Sequence, residues 1–391
     1  MVQKKRIAFL LKNLEVGGIE RVVLNLLGPL AKRQDSQLDL VVAQATGAYL
    51  EQVPNGVRVI DLQTSIENRT RSLVQAVPAI AGYLRREKPD VLLSHLPIVN
   101  VLAAVAKAIT GSPVRLILVE HTLPYNRLVK VEATAVPADA KSPEPKRPDF
   151  LTTLLPLIMR WFYPRANAIV TVSQGMAQEL ETALRLKSGS VQVIYNPVVD
   201  DRLLQQSRSA LDHAWLQPGQ PPVLIAVGRL TAQKDYATLI HAFAELRRQE
   251  VVRLLILGEG DLHSELESLT HKLGLAADVS LPGVVQNPYA YMSRASALIL
   301  SSRWEGLPTV LIEAMACGCQ VVSTTCPHGP REILDQGKYG WLVPVGAPFS
   351  LASAMKEALH YPIDSEKLRG RAQDFGLEQA VSNYLKTMHL E

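Results

Sequence analysis

The sequence predicts an α/β protein built from two doubly wound domains. Three observations lead there. Short continuous apolar runs alternate with helical stretches along most of the chain, the pattern of parallel sheets covered on both faces. The second half repeats the scheme of the first. The length, 391 residues, suits two or three domains at roughly 100–200 residues each.

The elements follow in order. Ile7–Leu11 is a short apolar run, then comes a loop with Gly17-Gly18 and a helical pattern from Ile19 to Ala31. Further strands are expected at Leu38–Ala43, Val57–Ile60, Val91–Ser94, Arg115–Glu120, Ala168–Val172 and Val191–Ile194. The join falls near Asn196–Asp201, just after a strand, with Pro197 as punctuation. The second half opens with the strand Val223–Val227, the loop Gly228–Asp235 and a helix to Arg248. Strands at Leu254–Leu257, Val279–Leu281, Ala297–Leu300 and Gln320–Thr324 follow. This gives a first domain over 1–198, a second over 199–375, and a terminal segment 376–391 whose helix, Leu377–His389, has the first or the second domain to pack on. Ligands of such sheets bind at the carboxyl ends of the strands, so the site is expected in a cleft between the two domains.

Lys130–Asp149 breaks the pattern. It has no apolar period and holds Pro137, Pro143, Pro145 and Pro148 with four Lys/Arg, so it reads as a mobile loop. Phe150–Tyr163 follows, rich in Leu, with Met159, Trp161 and Phe162. A basic loop beside an apolar helix fits a membrane-surface contact. An ordinary core helix after a surface insertion fits slightly better.

Composition narrows the class. Hydrophobic residues are 47% and charged residues 20%, which excludes a wholly disordered or fibrous chain. The three cysteines, Cys317, Cys319 and Cys326, lie within ten residues, so no disulfide framework spans the fold and a reducing compartment is expected. Cys317 and Cys319 lack the second pair of a metal site and read as small buried residues. No run of 18 uncharged apolar residues occurs, so no membrane-spanning helix is expected. The five apolar residues after Lys4-Lys5-Arg6 are too few for a signal-peptide core. The net charge of +4 hides an asymmetry: residues 1–198 carry 24 Lys/Arg against 16 Asp/Glu, and residues 199–391 carry 17 against 21. The basic half is suited to something anionic, or is plain solvated surface. Aromatics are 5% with no basic-aromatic stripe, so nucleic acid is not an expected partner.

Three stretches carry candidate chemistry. Gly17-Gly18 precede a helix, where backbone without side chains can approach a phosphate. Their surroundings match neither the Gly-x-Gly-x-x-Gly dinucleotide fingerprint nor a Walker phosphate loop. Gly228-Arg229-Leu230 with Lys234 places two cations on one loop after a strand. A planar fork and a point charge make a good pair for a diphosphate. The richest stretch runs from Ser302 through Glu305-Gly306-Leu307-Pro308-Thr309 to Glu313 and Gly318. Pro308 suits a first helical turn and Gly318 a helix stop. The N–H groups of Gly306, Leu307 and Thr309 would face whatever binds the helix start. Glu313, among Leu311, Ile312, Ala314 and Met315, is expected to be buried. If the whole segment were helical, about 12 Å of rise would separate the two glutamates. A glycosidase pair needs about 5–9.5 Å, so they are expected to serve different parts of one ligand.

These pieces, in this order, resemble a retaining glycosyltransferase of GT-B fold, family 4. The resemblance rests on Gly17-Gly18-Ile19-Glu20-Arg21, Ser173-Gln174-Gly175, Asn196-Pro197, Val227-Gly228-Arg229-Leu230 with Lys234, Gly258-Glu259-Gly260, Glu305 to Glu313, and Gly329-Pro330-Arg331-Glu332. It covers nearly the whole length. The family usually has Pro where Gln320 stands, a change expected to alter a strand start and not the chemistry. The resemblance implies two Rossmann-like domains, an acceptor-binding one first and a nucleotide-sugar-binding one second. It implies that Glu305 faces the donor sugar, that Gly306, Leu307, Pro308 and Thr309 hold its hydroxyls, and that Glu313 grips the ribose. Arg229 and Lys234 would hold the diphosphate, with Gly17-Gly18 closing on it. A family histidine near the sugar matches His121 better than His95. No metal and no other cofactor is implied.

The implied function is transfer of a hexose-type sugar from a nucleoside diphosphate to an acceptor hydroxyl of a glycan or lipid-linked glycan. The expected setting is cell-surface glycan or glycolipid synthesis, in the cytoplasm or peripherally at the inner, anionic face of the cytoplasmic membrane. The Cys326–Glu332 run inclines the donor towards a UDP-sugar over GDP-mannose. Two alternatives stand beside this: a UDP-sugar epimerase of similar shape, against which Glu305-x7-Glu313 with Gly-Leu-Pro argues, and a non-catalytic partner subunit, against which intact Arg229, Lys234, Glu305 and Glu313 argue.

Overall fold

The computed structural model describes residues 4–15, 17–66, 70–122 and 150–390. Val16 and the expected loop Lys130–Asp149 lie outside the described residues. The described chain divides into two units, at Pro197/Val198 and again at Gly376/Leu377.

The first unit is a seven-stranded parallel sheet. Its strands are β1 (Lys5–Leu11), β2 (Ser36–Val42), β3 (Val57–Asp61), β4 (Val91–His95), β5 (Arg115–Glu120), β6 (Ala168–Thr171) and β7 (Val191–Val193). The order is β3-β2-β1-β4-β5-β6-β7. Ile7 to Leu11 are all buried, as are Leu116 to Val119. That follows from strands whose two faces are both covered by helices. The sheet order reverses between β1 and β4, which are hydrogen-bonded neighbours. In such sheets the loops after these strands form the ligand crevice.

The terminal helix, Leu377–Met388, belongs to this first unit. Ala380, Tyr384 and Met388 share a core cluster with Val22, Leu26 and Leu30 of the helix Gly18–Ala31. Arg115 Nε donates to Thr387 O at 2.8 Å, and Thr387 Oγ1 bonds Gln192 Oε1 at 2.8 Å. The helix Phe150–Phe162 is two-faced: Leu155 and Met159 are buried, while Leu157 is 56% and Trp161 67% exposed.

The second unit is a six-stranded parallel sheet: β8 (Val223–Val227), β9 (Arg253–Leu257), β10 (Val279–Gly283), β11 (Ala297–Leu300), β12 (Gln320–Thr324) and β13 (Trp341–Val343). The order β10-β9-β8-β11-β12-β13 reverses between β8 and β11. β13 was not expected from the sequence. It has three residues, two of them only partly buried, and pairs along β12 from Val322↔Trp341. Gln320 opens β12, and its side-chain amide bonds the backbone of Ile363 in both directions at 2.8 and 2.9 Å. The residue that departs from the family pattern therefore ties a strand start to the chain before the helix Ser365–Ala372.

Candidate active site

In the second unit the loops after β8 and β11 meet at the sheet's reversal point. β8 ends at Val227, and Gly228 follows at φ +153, a region open to glycine. The loop lies backbone-to-backbone on Gly258-Glu259-Gly260. Leu230 N–H donates to Glu259 O at 2.8 Å. A Cβ on Gly258 would stand 2.0 Å from Gly228 O, and one on Gly260 2.5 Å from Leu230 O. These glycines are therefore needed to seat the loop. Leu230 is buried and anchors it, which leaves Arg229 exposed. Among the described residues, the Arg229 guanidinium has no ion-pair partner.

The loop then turns into the helix Tyr236–Arg247 through Asp235, which sits at φ +49 and is buried. Its carboxylate accepts from Arg303 Nε at 3.0 Å. That ion pair is the first of several stitches between the two loops. Arg303 N–H donates to Gln233 O at 2.8 Å, Gln233 Nε2 to Trp304 O at 2.9 Å, and Ser301 Oγ to Lys234 O at 2.7 Å. Together they fix the two loops in one register and bring Lys234 to Glu305.

Glu305 is 8% exposed. Its Oε1 accepts from Lys234 Nζ at 2.7 Å and from Ser302 Oγ at 2.6 Å. A buried carboxylate requires such a cation and donor set. Its own N–H donates to Pro327 O at 3.2 Å. The next residues rest on Gly329, where a Cβ would stand 2.4 Å from Pro308 Cδ. Burial and the Glu305 charge push the nearby Cys326 thiol up to about 12, so it is no nucleophile at neutral pH.

Three expectations are corrected here. Pro308 does not lie in the first helical turn: it is the residue before the helix Thr309–Ala316, at extended φ/ψ. Residues 305–308 are not helical, so the 12 Å rise between the glutamates, which assumed one continuous helix, does not apply. Glu313 is half-buried, not buried as its apolar neighbours suggested: it shares with Thr309, one turn before it, the one partly open side of a helix whose other six residues are buried. Gly318 follows the helix at φ +79, as a helix stop does. Among the described residues, the N–H groups of Gly306, Leu307 and Thr309 make no hydrogen bond.

In the first unit, Gly17 caps the helix Gly18–Ala31 in extended backbone, φ −162, with no side-chain cap. A Cβ on Gly18 would meet nothing within 4 Å, and one on Gly17 only the flexible end of Glu20. The fold itself therefore does not demand these glycines. His95 ends β4 and His121 follows β5, the next strand. The structure places both histidines together: His95 Nδ1 lies 3.0 Å from His121 Nε2. Both rings are buried, and burial lowers both from the usual imidazole range, His121 to about 4. On the opposite face of β5, Glu120 Oε1 accepts from Tyr163 Oη and from Asn100 Nδ2, the latter at 2.8 Å. Burial pushes this carboxyl up to about 8.

Ser302, Asp235, Arg303 and Gln233 were not singled out from the sequence. Their only signal was membership of the two loops, because their partners lie far along the chain. Among the described residues, no group of three or more His, Cys, Asp or Glu could hold a metal ion.

Comparison with known proteins agrees with this geometry. The family model for glycosyltransferase family 4 matches residues 16–202, and that for glycosyl transferases group 1 matches residues 207–375. An uncharacterized glycosyltransferase of Methanocaldococcus jannaschii is 30% identical over 265 residues, 58% of this chain and 64% of that protein. The chain thus spans less than two thirds of that relative. A Campylobacter jejuni relative, named as an α-1,4-N-acetyl-D-galactosaminyltransferase of a PP-undecaprenol-linked glycan, is 24% identical over 97% of both chains. The Anabaena HepE structure in complex with UDP-glucose superposes with a TM-score of 0.73 at 19% identity, covering 98% of this chain and 99% of that one. By these matches and by its two doubly wound parallel sheets, the chain belongs to glycosyltransferase family 4, with the GT-B fold.

Proposed function

We propose that this chain transfers a hexose-type sugar from a nucleoside diphosphate, a UDP-sugar in preference to GDP-mannose, to a hydroxyl of a glycan or lipid-linked glycan, with retention at the anomeric carbon. The observation that carries the reading is the Lys234–Glu305 pair at the reversal point of the second sheet, with Arg229 exposed on the same loop. Lys234 has three donors and gives one to Glu305, so others remain for a phosphate oxygen. Arg229 and Lys234 neutralise the diphosphate as it leaves, without a metal. Glu305 and the open N–H groups of Gly306, Leu307 and Thr309 hold sugar hydroxyls, with Pro308 shaping the loop. Glu313 binds the ribose. In the first unit, His121 meets a sugar hydroxyl, and Gly17 and Gly18 leave a helix start open to an anionic oxygen.

In the reaction the acceptor oxygen bonds to the anomeric carbon as the bond from that carbon to the phosphate oxygen breaks. The electron pair and the acceptor's proton go to the leaving diphosphate. The protein supplies positioning and fixed charge. A lipid-linked acceptor agrees with the name of the Campylobacter relative. Among the described residues no helix is long and apolar enough to cross a membrane. We place the chain peripherally on the anionic, cytoplasmic face, through the helix Phe150–Phe162.

Thermal shift with UDP, GDP and ADP tests the reading, since a ligand of the folded state raises the melting temperature. UDP is expected to raise it most. No response to any of the three overturns the nucleotide site. Turnover that vanishes in chelator and returns with magnesium overturns the charge assignment to Arg229 and Lys234.

A further inference from the structure

The buried histidine pair holds more information than the site needs. Two neutral imidazoles carry one N–H each, and the 3.0 Å contact between His95 Nδ1 and His121 Nε2 uses one of the two protons. The other must sit at an outer nitrogen. Those outer atoms, His95 Nε2 and His121 Nδ1, are buried and have no partner among the described residues.

Only two arrangements exist. If His121 donates to His95, the spare N–H lies on His95 Nε2. That residue is 0% exposed, within β4, its ring stacked on Phe9 at 6.1 Å between centroids. No ligand reaches it without opening the core, so a buried donor stays unsatisfied, at a cost of about 1–3 kcal/mol. If His95 donates to His121, the spare N–H lies on His121 Nδ1. His121 is 5% exposed, the first residue after β5, and Thr122 beside it is exposed. That atom is covered too, but it lies at the carboxyl end of the sheet and not within a strand, so a ligand that displaces its cover satisfies the donor without opening the core.

We propose that His95 is a positioning residue: its Nδ1–H donates to His121 Nε2, fixing the tautomer in which His121 presents a neutral Nδ1–H to a sugar hydroxyl. The inference rests on the proposed contact between His121 and the sugar. A neutral point donor suits a hydroxyl oxygen, where a phosphate is better served by Arg229 and Lys234. Among the described residues no carboxylate contacts either ring. Glu120, the nearest in sequence, bonds Asn100 and Tyr163.

The test reads the tautomer directly. Two-bond proton–nitrogen correlation spectra of full-length protein labelled with ¹⁵N-histidine separate Nδ1–H from Nε2–H rings, with His95→Asn and His121→Asn assigning the signals. Both rings are expected as Nδ1–H. A His121 ring found as Nε2–H, or charged at pH 7, overturns the proposal. His95→Asp presents only acceptors and should turn His121 to Nε2–H or imidazolium, lowering kcat/KM about tenfold, mainly in kcat. His95→Asn retains a donor and should lose no more than about threefold. Equal losses in the two folded variants leave His95 a merely structural role and overturn the proposal. UDP-glucose and GDP-mannose are compared with UDP and GDP: the His121 Nδ1 signal should move with a sugar nucleotide and not with the bare diphosphate. A correct tautomer with no such movement overturns the sugar contact of His121 and, with it, the proposed hydroxyl partner.

Discussion

The carboxyl edges of the two sheets are built by opposite means. In the second unit the edge is ionic: Lys234 to Glu305 at 2.7 Å and Arg303 to Asp235 at 3.0 Å, with both carboxylates buried. At the carboxyl edge of the first unit the buried titratable groups are neutral: a histidine pair held below the imidazole range and a glutamic acid pushed up to about 8. The glycines differ likewise. Gly258 and Gly260 are demanded by backbone packed on them, whereas Gly17 and Gly18 are not. Fixed charge suits a group that gains charge as it leaves. Neutral donors suit hydroxyls, which do not. On the proposed function, the second edge neutralises the diphosphate with fixed charge and also holds donor hydroxyls, while the buried histidine pair of the first edge adds a neutral donor for a sugar hydroxyl.

The sharpest way to break this contrast is to remove the charged carboxylate. Glu305→Ala deletes the group proposed to meet the reacting sugar, so kcat should fall by about 10²–10³, the scale of losing a preorganised transition-state contact. Binding of bare UDP, measured by calorimetry, should stay nearly intact. A variant that loses UDP and keeps kcat would place Glu305 on the nucleotide.

The neutral edge is tested by pH. The folded chain keeps the Glu120 proton up to about pH 8, while the unfolded chain releases it near the ordinary value of 4.5. This group's contribution to stability is therefore complete below about 4.5 and is lost as pH rises through 8. The histidines have the opposite sign: their contribution is present above 6.5 and is lost as pH falls towards 4. Glu120→Gln imitates the protonated acid and keeps an oxygen for Asn100 and Tyr163. It should stabilise the fold at pH 8.5 by a few kcal/mol, at about 1.4 kcal/mol for each tenfold change in proton affinity, and leave pH 5 nearly unchanged. Denaturant melts at both pH values decide it. Equal effects at the two would show that Glu120 is ionised in the fold.

Within the ionic edge, the proposed ribose contact of Glu313 offers a way to separate nucleotide binding from sugar chemistry. A lost charged hydrogen bond is worth about 1.5–3 kcal/mol. Glu313→Gln should accordingly raise the donor KM on the order of 10–150-fold with little change in kcat, and weaken bare UDP alike. If calorimetry shows UDP binding intact in Glu313→Gln and lost in Glu305→Ala, the two roles are exchanged.

How much of this was legible in the sequence depended on whether the signal was local. Arg115–Glu120, Val223–Val227, Ala297–Leu300 and Gln320–Thr324 were readable to the residue, because continuous apolar runs bounded by loops mark strands buried on both faces. Trp341–Val343 was missed, since three residues, two of them only partly buried, carry no period. The candidate residues of the second edge were readable as types. Their pairing was not: Lys234 and Glu305 are 71 residues apart, and only the neighbouring of β8 and β11 brings them together. The Asp235–Arg303 stitch, 68 residues apart, was invisible for the same reason. His95 and His121 were weighed as rivals, because chain order cannot show that adjacent strands stack them as partners.

The smallest expected effect concerns a third surface, the helix Phe150–Phe162, where the sequence left a core helix and a membrane contact both open. The structure gives it one buried and one exposed face. Leu155 and Met159 enter the first unit, so the helix is held whatever its outer side does. Outside, Leu157 and Trp161 stand one turn apart, 56% and 67% exposed, and Ile109 of the helix Pro97–Thr110 is 61% exposed. Arg165 lies over the Trp161 ring, 5.8 Å from its centroid. Large apolar side chains edged by arginine fit the interface of an anionic bilayer. Burying such a side chain fully is worth about 1.5–3 kcal/mol, and an interfacial contact less. Trp161→Ser should then weaken binding to anionic vesicles on the order of tenfold, and Leu157→Ser somewhat less. Turnover of a soluble acceptor should be unaffected, because neither residue belongs to the catalytic edges. Salt should weaken binding by the wild type and both variants alike, since the Debye length falls to about 3 Å at 1 M. Vesicle sedimentation at two salt concentrations measures both parts. Unchanged binding by Trp161→Ser moves the contact elsewhere, and equal sedimentation with neutral and anionic vesicles removes the charge from it.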